Sequence, residues 1–434
     1  MIIGHGGSGR GTTAMSRPSN AGTAVAIGVT ALCALVTVGT EYAGALELRI
    51  GSFALVLLPL FFAFVITVAL NLSLSWRRPE AAAPIWSCAG QLLQLLTVVF
   101  VVRAGVVLGT ALPTIVEAGP AILVQSLGKA GTALLAFPAA LLLGFGRASI
   151  GATFSIGREP SIALVTERYG ISGPEGSGVL ATYISGTLFG SLFFSALAGI
   201  GSAIPLFSST ALAMACGVGS GGMTISCAGS LAHGSRDLPQ DDIVALATAS
   251  DVLTYITTVL LGAFIVLPVL ERLYRSPTAV RNRLVSGDSA EPAATVVPSR
   301  LVTGLAVTVL LLVTAGWHAV PGMLLLLALA FGVRMLGDRT GRFVPTVLWA
   351  ALVGAALTVP GLPWSATMVR VLSAVDLLTL ATAVLSCVGL CVTVRQLRIL
   401  RTLSWRAVVV TLLVFAGSFF TSALLAQVVL GFTG

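Results

Sequence analysis

Residues 406–430 read RAVVVTLLVFAGSFFTSALLAQVVL, an apolar run whose one charged residue is the first. A helix needs about 20 such residues to cross the hydrocarbon core of a bilayer. Similar runs recur along most of the chain, in which 56% of the residues are hydrophobic and 9% are charged. Soluble domains contain about 25% charged residues. The sequence therefore predicts an all-α integral membrane protein without a separate soluble domain.

The arginines predict the orientation of the chain. Of its 24 basic residues, all but Lys129 are Arg. Nineteen arginines fall in loops on one side of the apolar runs, whereas Arg49, Arg236 and Arg370 fall on the other side. Arg103 lies inside a predicted span, where it is expected to pair with a carboxylate or with backbone carbonyl groups. Cytoplasmic loops carry the excess of basic residues in membrane proteins. We therefore expect the arginine-rich side to be cytoplasmic, and we expect no nucleic-acid partner, because the basic residues lie in loops between spans.

About eleven crossings satisfy this charge bias, with the N-terminus inside and the C-terminus outside. The predicted spans are 21–40, 51–74, 84–112, 118–146, 178–203, 243–268, 301–319, 321–337, 343–359, 370–392 and 406–430.

Two polar stretches divide the chain. Residues 1–19 are predicted to form a disordered tail, and residues 269–300, which contain SGDSAEPAA, a flexible cytoplasmic linker. The linker would separate an N-terminal transmembrane bundle, residues 20–268, from a C-terminal transmembrane bundle, residues 301–434.

Residues 204–235 are apolar, yet both of their flanks are predicted to lie outside. A re-entrant hairpin with its tip at GVGSGG reconciles these features. Irregular backbone at membrane depth must be buried in protein or line a wet cavity, and glycine permits a tight turn and close approach of a ligand. We expect the solute to bind at Gly217, Gly219, Ser220, Gly221 and Gly222. The alternative is an ordinary glycine-rich span with small-residue packing faces.

Residues 147–177 form the second polar region of interest. Glu159 followed by Pro160 is typical of a helix start. If this loop dips toward the bundle, Arg158 can bind a carboxylate through its planar fork. The alternative is a solvated loop in which Arg158 and Glu159 only mark the inner face.

Two carboxylates lie within predicted spans, where charges are costly and functional by default. Asp251 opens DVLTYITTVL and Asp376 opens the similar DLLTLATAVL, and internal duplication is typical of secondary transporters. We expect Asp251 and Asp376 to bind a coupling ion, Na⁺ or H⁺. The alternative for each is a structural partner for a nearby Thr or Arg.

Several function classes find no support. The six cysteines have no metal-ligand spacing such as C-x₂-C and are expected to be small core residues. The three histidines are scattered, and no Ser–His pair is evident. We therefore expect no metal site, no other cofactor and no enzymatic activity.

The stretch GREPSIALVTERYGISGPEGSGVLATYISGTLFGSLFF, together with ALAMACGVGSGG, resembles the prokaryotic membrane-protein family labelled "domain of unknown function 3100". The C-terminal VDLLTLATAVLSCVGL is similar as well. The resemblance implies a polytopic bacterial or archaeal membrane protein and supplies no substrate. A glycine-rich re-entrant loop before the last span of a five-helix unit is, more distantly, similar to ion-coupled carboxylate and amino-acid symporters with two inverted halves.

These observations together predict a secondary transporter in the inner membrane of a prokaryote. Its substrate would be a small anionic or zwitterionic organic solute, and its partners the lipid bilayer and that solute; a homo-oligomer is left open. Two alternatives remain at this point. One is an uncoupled channel or exporter, and the other is a non-transporting membrane receptor or assembly partner.

Overall fold

The computed structural model describes residues 20–44, 46–50, 53–57, 59–77, 79–117, 119–154, 159–171, 173–234, 237–275, 300–315, 317–340, 346–392 and 394–433. The helices in this part of the chain are α1 Asn20–Ala43, α2 Pro59–Arg77, α3 Pro79–Glu117, α4 Pro120–Gln125, α5 Lys129–Leu142, α6 Ala148–Phe154, α7 Glu159–Tyr169, α8 Pro174–Ser202, α9 Ser209–Cys216, α10 Gly221–Gly234, α11 Gln240–Leu261, α12 Leu267–Arg275, α13 Arg300–Ala315, α14 Val320–Thr340, α15 Thr346–Thr358, α16 Ser365–Ser373, α17 Leu377–Cys391 and α18 Val394–Thr433. The expected tail 1–19 and residues 276–299 of the expected linker lie outside the described residues.

A short β-hairpin precedes α2. Strand β1, Leu46–Ile50, pairs antiparallel with β2, Phe53–Leu57, so that Leu48 lies opposite Leu55. The prediction that a helical span begins at residue 51 was therefore wrong. The strand within the predicted span, FALVL, is apolar throughout, and periodicity does not distinguish so short an apolar run from a segment of a helix.

Five helical segments are long and apolar enough to cross a membrane: Thr23–Ala43, Pro59–Arg77, Ala82–Pro113, Val320–Thr340 and Trp405–Phe432. Two helix pairs pass the same test together but are bent by more than 40°: Pro174–Gly186 with Phe189–Ser202, and Ser365–Ser373 with Leu377–Cys391. The described residues thus contain five to seven candidate spans, which indicates a multi-pass membrane protein. The count of about eleven crossings stays a prediction.

The helices pack around two main hydrophobic cores. The larger core includes residues of α1–α3 together with residues of α13–α17, such as Val102, Val307 and Leu385. The smaller core joins α5 and α8–α11 to α18 through residues such as Phe194 and Phe415. Each core therefore contains helices from both sides of the 269–300 linker. The expected division into bundles 20–268 and 301–434 stays a prediction, and helices of both ranges contribute to each core.

Helices α3 and α15 approach each other closely because glycines face the opposite backbone. A Cβ atom on Gly105 would collide with the carbonyl oxygen of Ala351, and a Cβ atom on Gly354 would collide with that of Val102. Small residues permit such backbone contact between helices in membranes. This pair anchors the helix that carries Arg103.

Charged side chains cluster at one end of the molecule. Arg147 pairs with Glu175, and its Nη2 lies 3.0 Å from Oε1 of Glu271. Burial raises the pKa of Tyr169 to about 12, and nearby Glu271 adds to the rise, so this phenol stays neutral. Near the same residues, Glu167 accepts hydrogen bonds from the backbone N–H groups of Thr346 at 2.7 Å and of Val347 at 3.1 Å, and so caps α15.

This cluster brings together loops that the arginine bias assigns to one side. Arg406, at the start of the last predicted span, also donates a hydrogen bond of 3.2 Å to the carbonyl oxygen of Leu143. The segments around residues 147, 271, 346 and 406 therefore meet at one end of the bundle. Which side of a membrane this end faces stays a prediction.

Replacing Gly105 by Val should lower the stability of the protein by about 1–3 kcal/mol, because the added side chain forces α3 and α15 apart. The measurement is the melting temperature of the purified protein in detergent. Gly90→Val is the matched control on the same helix, since nothing lies within 4 Å of a Cβ at Gly90. An equal decrease in melting temperature for the two variants would show that the close contact between α3 and α15 does not cause the loss of stability.

Candidate functional site

The GVGSGG segment forms the turn between two short helices. Helix α9 begins after Ser208, whose side chain accepts a hydrogen bond from the N–H of Ala211, and it ends at Cys216. Helix α10 begins at Gly221. Within the turn, the N–H of Gly217 donates to the carbonyl oxygen of Met214 at 3.2 Å, and the N–H of Thr224 donates to that of Ser220 at 2.8 Å. We call residues 217–222 the tip.

The glycines of the tip serve close packing. A Cβ atom on Gly217 would lie 2.5 Å from the carbonyl oxygen of Ala247 and from the backbone nitrogen of Asp251. A Cβ atom on Gly219 would lie 2.7 Å from Cβ of Met223. The described glycines with positive φ lie elsewhere in the chain. The close approach at Gly217 is thus that of the α11 backbone, whereas the position at Gly221 is exposed and faces open space.

Asp251 lies beside the carboxyl end of α9. The hydroxyl of Thr224 is 3.2 Å from Oδ1 of Asp251 and 3.2 Å from the carbonyl oxygen of Cys216, so it donates to one or the other. The carboxyl end of a helix carries partial negative charge. Several oxygen atoms with negative partial charge therefore lie close together here. They belong to a half-buried carboxylate, a hydroxyl group and the carboxyl end of a helix. Such a set favours a cation.

A chain of hydrogen bonds extends from this point into the protein. Ser250 donates to the carbonyl oxygen of Met214 at 2.6 Å, and Nε2 of Gln125 donates to Oγ of Ser250 at 2.8 Å. Ser422 of α18 donates to the carbonyl oxygen of Gln125 at 2.9 Å. Gln125 is fully buried, and its Oε1 has no hydrogen-bond partner among the described residues. The chain links α4, α9, α11 and α18.

A disulfide bond joins the two short helices. Cys216, the last residue of α9, is bonded to Cys227 of α10. Both residues are fully buried, as expected for small core residues, but the sequence analysis did not predict that they are bonded to each other. The other four, Cys33, Cys88, Cys387 and Cys391, are free and buried. The disulfide ties both helices together within about one turn of the tip.

Asp376 has a different environment from Asp251. It is exposed and caps α17, since its Oδ2 accepts hydrogen bonds from the N–H of Thr379 at 2.8 Å and from its hydroxyl at 3.1 Å. The break between α16 and α17 falls immediately before it, whereas α11 is continuous through Asp251. The two segments that look alike in sequence thus differ in backbone structure. Asp251 lies between Ala249 and Leu253, which belong to a third, small core, whereas Asp376 follows Val375 of the larger core.

Arg103 approaches the α16–α17 break from α3. Its Nε donates a hydrogen bond of 2.7 Å to the carbonyl oxygen of Val375. The structure therefore joins some of the predicted site residues and separates others. It brings the tip together with Asp251 and places Asp376 at another helix break beside Arg103. Arg158 lies outside the described residues, so its role stays a prediction.

Three polar residues near the tip were not predicted from the sequence as site residues: Thr224, Ser250 and Gln125. Serine and threonine are too common in membrane helices to stand out. Gln125 carried a usable signal, because a long amide within an apolar run needs a partner. In the described part of the chain, no group of three or more His, Cys, Asp or Glu residues could hold a metal ion.

Gly217→Ala should displace the tip from α11, because the added methyl group meets the backbone at Ala247 and Asp251. We expect a loss of stability of about 1–3 kcal/mol, measured as a lower melting temperature. Gly221→Ala is the matched control within the same tip, where the added methyl group meets open space. A Gly217→Ala protein that melts like the Gly221→Ala protein would contradict this packing.

Removing the disulfide through Cys216→Ser with Cys227→Ser should also lower the melting temperature. In the chain-entropy description, a bridge that closes a loop of this length stabilises a fold by about 2.5–3 kcal/mol. A reductant present during thermal unfolding reaches the buried bridge in opened molecules, so it should shift the melting temperature of the wild-type protein toward that of the double variant and leave the double variant unchanged. A reductant effect of equal size on both proteins would have another origin.

Comparison with known proteins assigns the part of the chain that contains the tip to one family. The family model described as "Protein of unknown function (DUF3100)" matches residues 38–276, more than half of the chain. The match contains the tip and Asp251 and ends before α13. No curated protein and no solved structure matches the chain.

Proposed function

The chain belongs to the family described as protein of unknown function (DUF3100), and because that description assigns no activity, we propose a function from the site. We propose that the protein is an ion-coupled secondary transporter of a small anionic or zwitterionic organic solute. It would lie in the inner membrane of a prokaryote with its N-terminus in the cytoplasm. Its architecture would comprise about eleven crossings and a re-entrant hairpin at 204–235.

The observation that carries this proposal is the contact between Asp251, Thr224 and the carboxyl end of α9. Asp251 follows Gln240, the start of α11, by about eleven residues, which corresponds to about 16 Å along the helix. A bilayer core is about 30 Å thick, so this carboxylate lies near the midplane if α11 spans it. Secondary transporters bind their coupling ions at that depth, between carboxylates and the carbonyl ends of interrupted helices.

The lengths of α9 and α10 support the re-entrant hairpin. They contain 8 and 14 residues, whereas a single crossing needs about 20. The disulfide between Cys216 and Cys227 supports entry from the outside, because disulfides form in oxidising compartments. This is also the side that the arginine bias assigns to the flanks of 204–235.

The solute would bind at the tip, Gly217, Gly219, Ser220, Gly221 and Gly222, where the amino end of α10 carries partial positive charge. Asp251 would hold Na⁺ or H⁺ nearby. Asp376 already caps α17, so the coupling proposal rests on Asp251. In this proposal the protein is not an enzyme and needs no cofactor other than the coupling ion.

The first test measures the melting temperature of the purified protein in NaCl, in choline chloride, and at pH 6 and pH 8. A cation at a hundredfold excess over its dissociation constant stabilises the folded protein by about 2.7 kcal/mol. We expect Na⁺ or low pH to raise the melting temperature of the wild-type protein and not that of Asp251→Asn. Asp242→Asn is the matched control, since Asp242 is an exposed carboxylate in the first turn of the same helix.

The second test measures flux in proteoliposomes. The probes are labelled acetate, succinate, citrate, glutamate and alanine, each with and without a Na⁺ or pH gradient. Gradient-driven accumulation that requires Asp251 is the expected result. Flux that persists in Asp251→Asn and never exceeds equilibrium would identify an uncoupled channel. A folded protein that shows no flux with any probe would argue for a receptor or assembly partner.

A further inference from the structure

Arg103 is a buried cation with a spare hydrogen-bond donor. Only 7% of the residue is exposed. Its Nε donates to the carbonyl oxygen of Val375 at 2.7 Å, whereas its Nη1 is buried without a hydrogen-bond partner among the described residues. Buried donors in folded proteins are nearly always paired, and an unpaired donor on a charged group is especially costly. The unpaired Nη1 therefore needs an explanation.

The position of Arg103 within a candidate span increases the free-energy cost of its unpaired donor. It belongs to the candidate span Ala82–Pro113 and precedes Pro113 by about ten residues, or about 15 Å of helix. An arginine at such depth pairs with an opposite charge or with backbone carbonyl groups, and the one carbonyl group that Arg103 contacts, that of Val375, leaves Nη1 unmatched. Asp376 is near enough to stabilise the guanidinium electrostatically, but it does not form an ion pair with Arg103 within 4.0 Å, and its Oδ2 is engaged by Thr379.

The helix break adds a second feature that favours an anion. Helix α17, of 15 residues, begins at Leu377, so its amino end points toward the region of Val375 and Arg103. The first N–H groups of a helix carry partial positive charge. One guanidinium N–H and the amino end of α17 thus converge at the α16–α17 break, beside the exposed Asp376. Among the described residues, the carboxylate of Glu41 also contacts α17, further along the helix at Thr382.

We propose that Arg103 and the α16–α17 break bind a carboxylate group of the solute. This inference rests on the proposed transport function, and it names the substrate class as organic carboxylates and the anion partner as Arg103. Because α3, which carries Arg103, packs against α11, the carboxylate site and the Asp251 cation site lie on adjacent helices. Arg103 and Asp251 are each about 15 Å along their helices from the end that is predicted to lie outside. This similar depth is consistent with one binding region for the solute and the coupling ion.

The carboxylate reaches Nη1 when the break opens, as alternating access requires of any midplane site. The bound carboxylate would accept the hydrogen bond that Nη1 lacks and neutralise the guanidinium. Asp376 would repel it, because both groups carry negative charge. Removal of the Asp376 charge should therefore strengthen binding, which a merely structural arginine would not produce.

The test measures binding of acetate, succinate, citrate and glutamate to the purified full-length protein by thermal shift and calorimetry. Acetamide and succinamide serve as neutral controls. At least one carboxylate should bind the wild-type protein, and Arg103→Gln should weaken that binding by about 30-fold or more. Arg103→Lys should retain part of the affinity. The matched control is Arg370→Gln, since Arg370 is an exposed arginine on α16. The Arg370→Gln protein should bind the carboxylate with the affinity of the wild-type protein.

Asp376→Asn provides a second test if Arg103→Gln does not fold. Asparagine still accepts the capping hydrogen bond from Thr379, so this variant removes the charge and keeps the cap. Carboxylate affinity should rise by about threefold to tenfold. Unchanged affinity in Asp376→Asn, or equal affinity in Arg103→Gln and the wild-type protein, overturns the inference.

The outcome also separates this inference from the proposed function. A cation effect that depends on Asp251, combined with no carboxylate binding, would reject the Arg103 site and retain coupled transport. Carboxylate binding that depends on Arg103, combined with no cation effect and no gradient-driven flux, would retain the site and reject coupled transport.

Discussion

Backbone groups at the ends of interrupted helices have to find partners inside the protein, because lipid offers none. In this chain, side chains from neighbouring helices supply them. Ser250 donates to Met214, Ser422 to Gln125, Asn71 to Val392, Arg103 to Val375 and Arg406 to Leu143, and the Thr224 hydroxyl lies within hydrogen-bond distance of the carbonyl oxygen of Cys216. In each case the acceptor is a backbone carbonyl oxygen at or near a helix end. These bonds fix the breaks at defined positions, and both candidate sites lie at such breaks.

Much of the helical layout can be predicted from the sequence, because hydrophobic runs report burial directly. The run 406–430 lies within α18, and 84–112 lies within α3. The breaks cannot be predicted in the same way. Residues 118–146 read as one apolar run, yet α4 ends at Gln125 and a 3₁₀ turn, Ser126–Gly128, precedes α5. The cause is tertiary, since Ser422 from the last helix holds the carbonyl oxygen of Gln125. Hydropathy contains no information about such a contact.

The candidate site shows the same limit. Glycine clustering directed attention to the tip, and intramembrane charge to Asp251, and the two are indeed in contact. The sequence did not indicate which glycine matters. Gly217 is required by the backbone of α11, whereas Gly221 faces open space. The similarity between DVLTYITTVL and DLLTLATAVL suggested equivalent positions for Asp251 and Asp376. The two positions differ in the structure, because the first segment continues a helix and the second begins one. Arg103 was visible as an intramembrane charge, but its unpaired donor appears only when Val375 is brought to it.

The disulfide has a consequence for how the protein is assembled. Cys216 and Cys227 are both fully buried, and α9 packs against α18, a helix that is synthesised after both cysteines. An oxidant reaches such buried sulfur atoms most readily while that side of the bundle is open. We therefore expect the two thiols to be oxidised before α18 docks, so that the bridge holds the tip before α18 packs against α9.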